Sequence, residues 1–222
     1  QVVGHRPIAF RDLPVDLLSL TAHKLQGPRG IGALLHRRGV PLMAQLGGGL
    51  QERGFRAGTE PVVLVAGLVK AVELAHQRLE DHGGLDPVAP WRDDLLDQLL
   101  ALPGVRLSGP DPRCMAARLP HHLSLLVSDP ESGAPLSGRR LVQALWREGI
   151  AASSGSACSS GKGAGAQSTG LSPSPILQAM GYNDADASSG LRLSLGPWLD
   201  PQQLQGLPLA FERARRALLQ SG

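Results

Sequence analysis

Residues 19–32 read SLTAHKLQGPRGIG. Apolar runs flank this stretch on both sides, VDLLSL at 15–20 and IGALLHR at 31–37, and each has the length and composition of a short strand. The earlier run reads as a buried strand that feeds a tight loop closed by Gly27 and Pro28. Lys24, within that loop, is one of three lysines in a chain with nineteen arginines. A guanidinium carries surface charge as well as an ammonium does, but it stays protonated and cannot serve as an amine nucleophile. A rare lysine beside Thr21 and His23 therefore reads as chemistry. Hydroxyl, imidazole and amine on one turn can cradle a phosphate and offer an amine to an aldehyde, the combination that a pyridoxal phosphate site needs.

Outward from this loop, residues 45–59 (QLGGGLQERGFRAGT) form a Gly-rich connection, and a long helix is predicted after it. Thr59 suits its N-cap and Pro61 its first turn. Val62, Val65, Ala66, Val69, Val72 and Leu79 recur near helical spacing and predict its buried stripe. Residues 81–90 (DHGGLDPVAP) read as a connector, which divides the chain into a first part, 1–80, and a second, 81–222. In the second part, helical patterns at 91–102, 138–149, 174–181 and 200–220 alternate with strand patterns at 104–109, 121–127 and 190–196. Gly181 is a stop signal, and Pro208 interrupts the last helical stretch. Strands alternating with helices predict an α/β or α+β arrangement.

Composition narrows the function classes. The chain has 222 residues, enough to bury a core, and no apolar run approaches the length needed to span a bilayer. No membrane association is expected. The net charge is +3, but the basic residues are scattered and only seven residues are aromatic, so no nucleic-acid partner is expected. Cys114 and Cys158 are the only cysteines and form no CxxC pair. That excludes a disulfide framework and a cysteine-rich zinc site, and fits a reducing, cytoplasmic compartment. No metal site is predicted.

Two further stretches carry candidate chemistry. Cys158 sits in SSGSACSSGKGAGAQ, where serine and glycine crowd it on both sides; such a polar loop suits a thiol that travels between substrate and partner. Arg192 alternates away from Leu191, Leu193 and Leu195 in a strand, and its planar fork is a natural clamp for a carboxylate. Cys114, in a turn-like segment, reads as structural. His121 and His122 are adjacent, point to opposite faces of a strand and are given no role.

Taken together, the lysine loop, GGGLQERGFRAGT, RLPHHLSLLV, SSGSACSS and LRLSLG, in that order, resemble the second half of the cysteine desulfurases, pyridoxal-phosphate enzymes of the nitrogen-fixation and iron–sulfur-assembly type. The resemblance implies the aspartate-aminotransferase-like α/β fold (type I), represented by the C-terminal part of the large domain and a small α+β domain, in a homodimer. It implies that Lys24 is the Schiff-base lysine, that Thr21 and His23 bind the cofactor phosphate, and that Gln1 bonds the pyridine phenolic oxygen. Thr59 would reach the partner subunit's phosphate, and Arg192 would hold the carboxylate of L-cysteine. Cys158 would take the substrate sulfur as a persulfide, release alanine and pass the sulfur to an iron–sulfur scaffold or another acceptor protein. The fifteen positions from Cys158 to Pro173 resemble the group with a long cysteine loop. The chain departs from the family pattern at Thr21 and Ala22, where Ser and Gly are usual, in one extra residue in GGGLQERG, and at Pro208. The family's cofactor-binding His, Asp and Thr and its substrate-binding Asn from the first half have no counterpart here. The chain alone is therefore expected to be an incomplete enzyme. Two rival readings are a selenocysteine lyase on the same scaffold and an inactive fragment that serves as a sulfur-accepting module.

Overall fold

The computed structural model describes residues 1–113, 118–154 and 173–220. The chain divides into two compact units, Gln1–Asp86 and Pro87–Gly222. No helix among the described residues is long and apolar enough to cross a membrane.

The first unit is built on a hairpin and a helix. Strands β1 (Leu17–Thr21) and β2 (Gly32–His36) pair antiparallel, from Leu17 opposite His36 to Thr21 opposite Gly32. The stretch 22–31 that bears Lys24 is thus the connection of a hairpin. Arg37, just past β2, secures the approach to β1. Its Nε donates to the Val15 carbonyl at 2.9 Å, and Nη2 donates to the carbonyls of Leu13 at 2.5 Å and Arg11 at 3.2 Å. Its guanidinium also lies 5.4 Å from the centre of the Phe10 ring. At the end of the unit, His5 Nδ1 meets the Asp86 carboxylate at 2.5 Å.

Helix α1 spans Val62–Asp81. Its boundary and its buried face both differ from the sequence expectation. Pro61 holds the cap position and no side chain caps the helix, so Thr59 is not the N-cap. The buried stripe is Leu68, Ala71, Ala75 and Leu79, while Val62, Val63, Val65, Val69 and Val72 are exposed. Small residues win that face because the hairpin connection packs too closely for branched side chains. β1 is also more open than its apolar sequence predicts, with Leu17 exposed.

The second unit is an α+β fold. Strands β3 (Val105–Leu107), β4 (His122–Val127) and β5 (Gly190–Ser194) form an antiparallel sheet in the order β3-β4-β5. Alternation sends Leu123, Leu125, Val127, Leu191 and Leu193 to one face, where they join the main core. Helices α2 (Ala89–Leu100), α3 (Gly138–Arg147) and α7 (Leu207–Gln220) close that core with Leu95, Leu96, Leu99, Leu141, Leu145 and Phe211. The short helices α4 (Pro175–Ala179) and α5 (Asp184–Ser188) supply Leu177 and Ala187 to a small cluster around Leu126 on the other face.

Local signals set most of these boundaries. Ser137, Ser174 and Asn183 cap α3, α4 and α5, their side chains accepting from backbone N–H groups one turn on. Asp200 does the same for α6 (Pro201–Gln205). The last helical stretch breaks at Gly206, and Pro208 falls in the first turn of α7, where its missing N–H costs nothing.

Gly138, the first residue of α3, abuts the sheet. A Cβ there would collide with the backbone carbonyl oxygen of Gly190 and approach that of Ser188 to 3.2 Å. Gly138→Ala is therefore expected to cost about 1–3 kcal/mol, the usual range for overpacking. Thermal unfolding of the variant against the parent chain checks this.

Candidate active site

Lys24 lies on a 3-10 turn, Ala22–Leu25, that begins as soon as β1 ends. The turn is closed by the Ala22 N–H donating to the Ile31 carbonyl (3.1 Å) and the Gly27 N–H donating to the Ala22 carbonyl (2.9 Å). Gln26 adopts the left-handed conformation at φ 65°, which turns the chain back toward β2. Two close approaches seat the turn on α1. A Cβ on Gly27 would come within 3.0 Å of Ala71 Cβ, and one on Gly67 within 2.8 Å of Pro28 Cγ. Glycine and alanine at these contacts let the backbone of the turn lie directly against the helix.

Three predicted site residues meet on this turn. Thr21 Oγ1 lies 2.9 Å from His23 Nδ1, and Lys24 follows, exposed like His23. Gln1 is also exposed. Thr59 is exposed ahead of α1; the preceding Gly58 N–H donates to Gln51 Oε1 at 3.1 Å. Cys158 and Cys114 lie outside the described residues.

Arg192 sits in β5 opposite Ser124, half-buried, on the face away from the main core. Its backbone is paired on both sides. Beyond β4, the Ser153 N–H donates to the Arg192 carbonyl at 3.0 Å and the Arg192 N–H donates to the Ser153 carbonyl at 2.6 Å. The chain that leads into the cysteine loop is therefore bonded to the residue that carries the guanidinium.

One residue of this face had no predicted role. His122 occupies the same face as Ser124 and Arg192. Its pKa is lowered from 6.5 to about 4, by burial first and then by the charges of Arg118, Arg192 and Arg92. The signal was present in the alternation of HLSLLV, which places His122 beside Ser124 and away from the leucines.

A model of the aminotransferase class-V family matches residues 1–207. The chain belongs to the class-V aminotransferase family. The curated protein "Cysteine desulfurase" of Cereibacter sphaeroides is 38% identical over 208 residues, covering 93% of this chain and 48% of that protein. "Cysteine desulfurase IscS" of Clostridium botulinum (strain Kyoto / Type A2) is 37% identical over 197 residues, covering 88% and 45%. A solved "NifS-like protein" superposes with a TM-score of 0.75 at 27% identity, covering 98% of this chain and 50% of that one. This class-V chain spans about half the length of the curated relatives it matches, and its fold is the aspartate-aminotransferase-like type I anticipated from the sequence.

Two outcomes follow from this geometry. Gly67→Leu should prise the lysine turn from α1, and hydrogen exchange at Ala22–Gln26 should accelerate at least severalfold relative to the parent chain. His122 is held below its ordinary pKa, so protonation favours the unfolded state. Stability should be full above about pH 6.5 and fall progressively toward pH 4. Thermal melts of His122→Asn should lack that component of the acid-side loss.

Proposed function

We propose that this chain supplies the lysine, carboxylate clamp and sulfur-accepting thiol of a cysteine desulfurase. The observation that carries the reading is the lysine turn: hydroxyl, imidazole and primary amine on one hairpin connection, seated on α1 by glycine and alanine contacts. The donor set fits a phosphorylated aldehyde. Thr21 and His23 offer an O–H and an N–H to the phosphate, and the exposed Lys24 amine can condense with the carbonyl. Pyridoxal phosphate, when bound, supplies an electron sink for the pair released at the substrate Cα.

Each remaining residue has a defined task in this reading. Lys24 Nζ moves the proton at Cα. Arg192 binds the carboxylate of L-cysteine and so fixes which bond at Cα faces the amine. Gln1 donates to the ring oxygen of the cofactor, and Thr59 reaches the phosphate of the partner subunit in a homodimer. The Cys158 thiolate attacks the substrate sulfur; an S–S bond forms as the C–S bond breaks, the electron pair stays with carbon, and carbon takes a proton to give alanine. The persulfide then passes to a thiol of an iron–sulfur scaffold or other acceptor. The reducing cytoplasm is the compartment that keeps such a thiol available.

The exposed valines of α1 favour one addition. Val62, Val65, Val69 and Val72 recur at helical spacing and lie uncovered, as expected of a large domain completed by further sequence of the kind its longer relatives carry. The chain alone is accordingly expected to bind cofactor weakly and turn over little.

Absorbance spectra with added pyridoxal phosphate test the lysine assignment. With the cofactor in large excess over the weakly binding chain, a new visible band is expected with the parent chain and with Cys158→Ala, and none with Lys24→Ala. A band that survives in Lys24→Ala sinks the assignment. Alanine release from L-cysteine, measured in the longer protein that contains this sequence, should fall to background in Cys158→Ala. Retained release from selenocysteine alone would favour the lyase reading.

A further inference from the structure

The face that carries Arg192 also carries an unused donor. The register sets His122 opposite Ser194 and Ser124 opposite Arg192. His122 and Arg192 are therefore diagonal neighbours, about 7 Å apart along the sheet and within reach of two long side chains.

Burial keeps the ring neutral, and Arg118 decides which nitrogen carries the proton. Its Nε donates to the Pro110 carbonyl at 3.0 Å, Nη2 donates to the Ser108 carbonyl, and Nη1 stands 3.5 Å from His122 Nδ1. A guanidinium has donors only. The Nδ1 that faces it is thus the nitrogen without a proton, and the N–H of the neutral ring is assigned to Nε2. The charges acting on the ring come from three elements: Arg118 from the segment before β4, Arg92 from α2 and Arg192 from β5.

Two of these cations are committed elsewhere. Arg118 serves the carbonyls of Ser108 and Pro110. Arg92 is buried, with Nε 2.6 Å from Asp93 and Nη1 donating to the Leu119 carbonyl. Arg192 has no ion-pair partner among the described residues and is the cation placed to receive an anion.

We propose that His122 is a second ligand for the carboxylate that Arg192 binds, donating through Nε2–H. The inference rests on the carboxylate reading of Arg192 given above. A carboxylate held by a guanidinium fork keeps lone pairs on both oxygens, and an imidazole N–H satisfies one of them. Because the ring is neutral, it orients the anion without adding a fourth positive charge to a crowded face. A hydrogen bond from a neutral donor to a bound anion contributes roughly tenfold in affinity.

The test is a titration of the 222-residue chain with acetate at pH 7, followed by the side-chain 15N resonances of His122 and Arg192. Saturable shifts at both residues are expected, and Arg192→Ala should abolish them. His122→Phe, which removes the donor, should weaken acetate about tenfold. His122→Asn, which restores a neutral N–H donor, should bind within about threefold of the parent and keeps the test valid if the Phe variant misfolds. If Arg192→Ala abolishes binding while His122→Phe and His122→Asn both match the parent, the role of His122 is overturned and the Arg192 reading stands. If Arg192→Ala binds acetate like the parent, or the parent shows no saturable shift, the Arg192 reading itself is overturned.

Discussion

A strand paired on both sides has two faces of unequal fate, and the second unit depends on how β4 and β5 divide theirs. Leu123, Leu125, Leu191 and Leu193 enter the main core, where each buried side chain is worth about 1.5–3 kcal/mol relative to exposure. Their intervening neighbours, His122, Ser124 and Arg192, are thereby locked onto the opposite face. Ser124 is fixed further by the Oγ of Ser108 at 2.6 Å. A one-residue slip in register would exchange the two sets and bury a guanidinium among leucines. The hydrophobic core and the position of the Arg192 guanidinium are consequently one requirement, since whatever stabilises the leucine face also aims Arg192.

The first unit is organised by a different constraint. Its described buried apolar residues are Ala22, Ala57, Leu68, Ala71, Ala75 and Leu79, mostly small side chains with little area to remove from water. The lysine turn sits where it does because these residues are small. Gly67 accepts the Pro28 ring, and Ala71 accepts the Gly27 backbone, so no long side chain stands between the turn and the helix at these contacts. Close packing here gives precision at the expense of apolar burial, while the valines on the other stripe of α1 stay exposed.

Much of this was legible in the sequence. The hairpin strands, the three strands of the sheet, the break before α7 and the outward alternation of Arg192 follow from periodicity, Gly and Pro placement and capping chemistry. The differences arise in tertiary structure. Valine spacing in α1 is helical, but spacing cannot say which of two apolar stripes is covered. The Leu68–Ala71–Ala75–Leu79 stripe won through a close approach that only tertiary structure reveals. Thr59 has the chemistry of an N-cap, yet the chain enters the helix at Pro61. The alternation of adjacent His121 and His122 shows that they face opposite ways, but not that His122 lies near Arg118, Arg92 and Arg192, which come from three separate elements. Of the site, the lysine turn was readable as a local string, whereas the Ser153–Arg192 pairing joins residues thirty-nine positions apart and no local pattern announces it.

That pairing bears directly on how a thiol finds its target. Five positions separate Ser153 from Cys158, and a chain spans at most about 3.3–3.6 Å per residue. Five residues therefore reach at most roughly 17 Å from Ser153, which itself lies one strand spacing from Arg192. A group confined to that radius has an effective concentration in the tens of millimolar, far above a free protein thiol in solution. The fifteen positions from Cys158 to Pro173 impose almost no further limit. In the proposed reaction the thiol must be near a substrate held by its carboxylate and then depart with the sulfur. The five-position separation from Ser153 suits the first need, and the fifteen positions to Pro173 suit the second. The Ser153 pairing runs through the backbone of β5, and not through the guanidinium, so the Arg192 side chain takes no part in it.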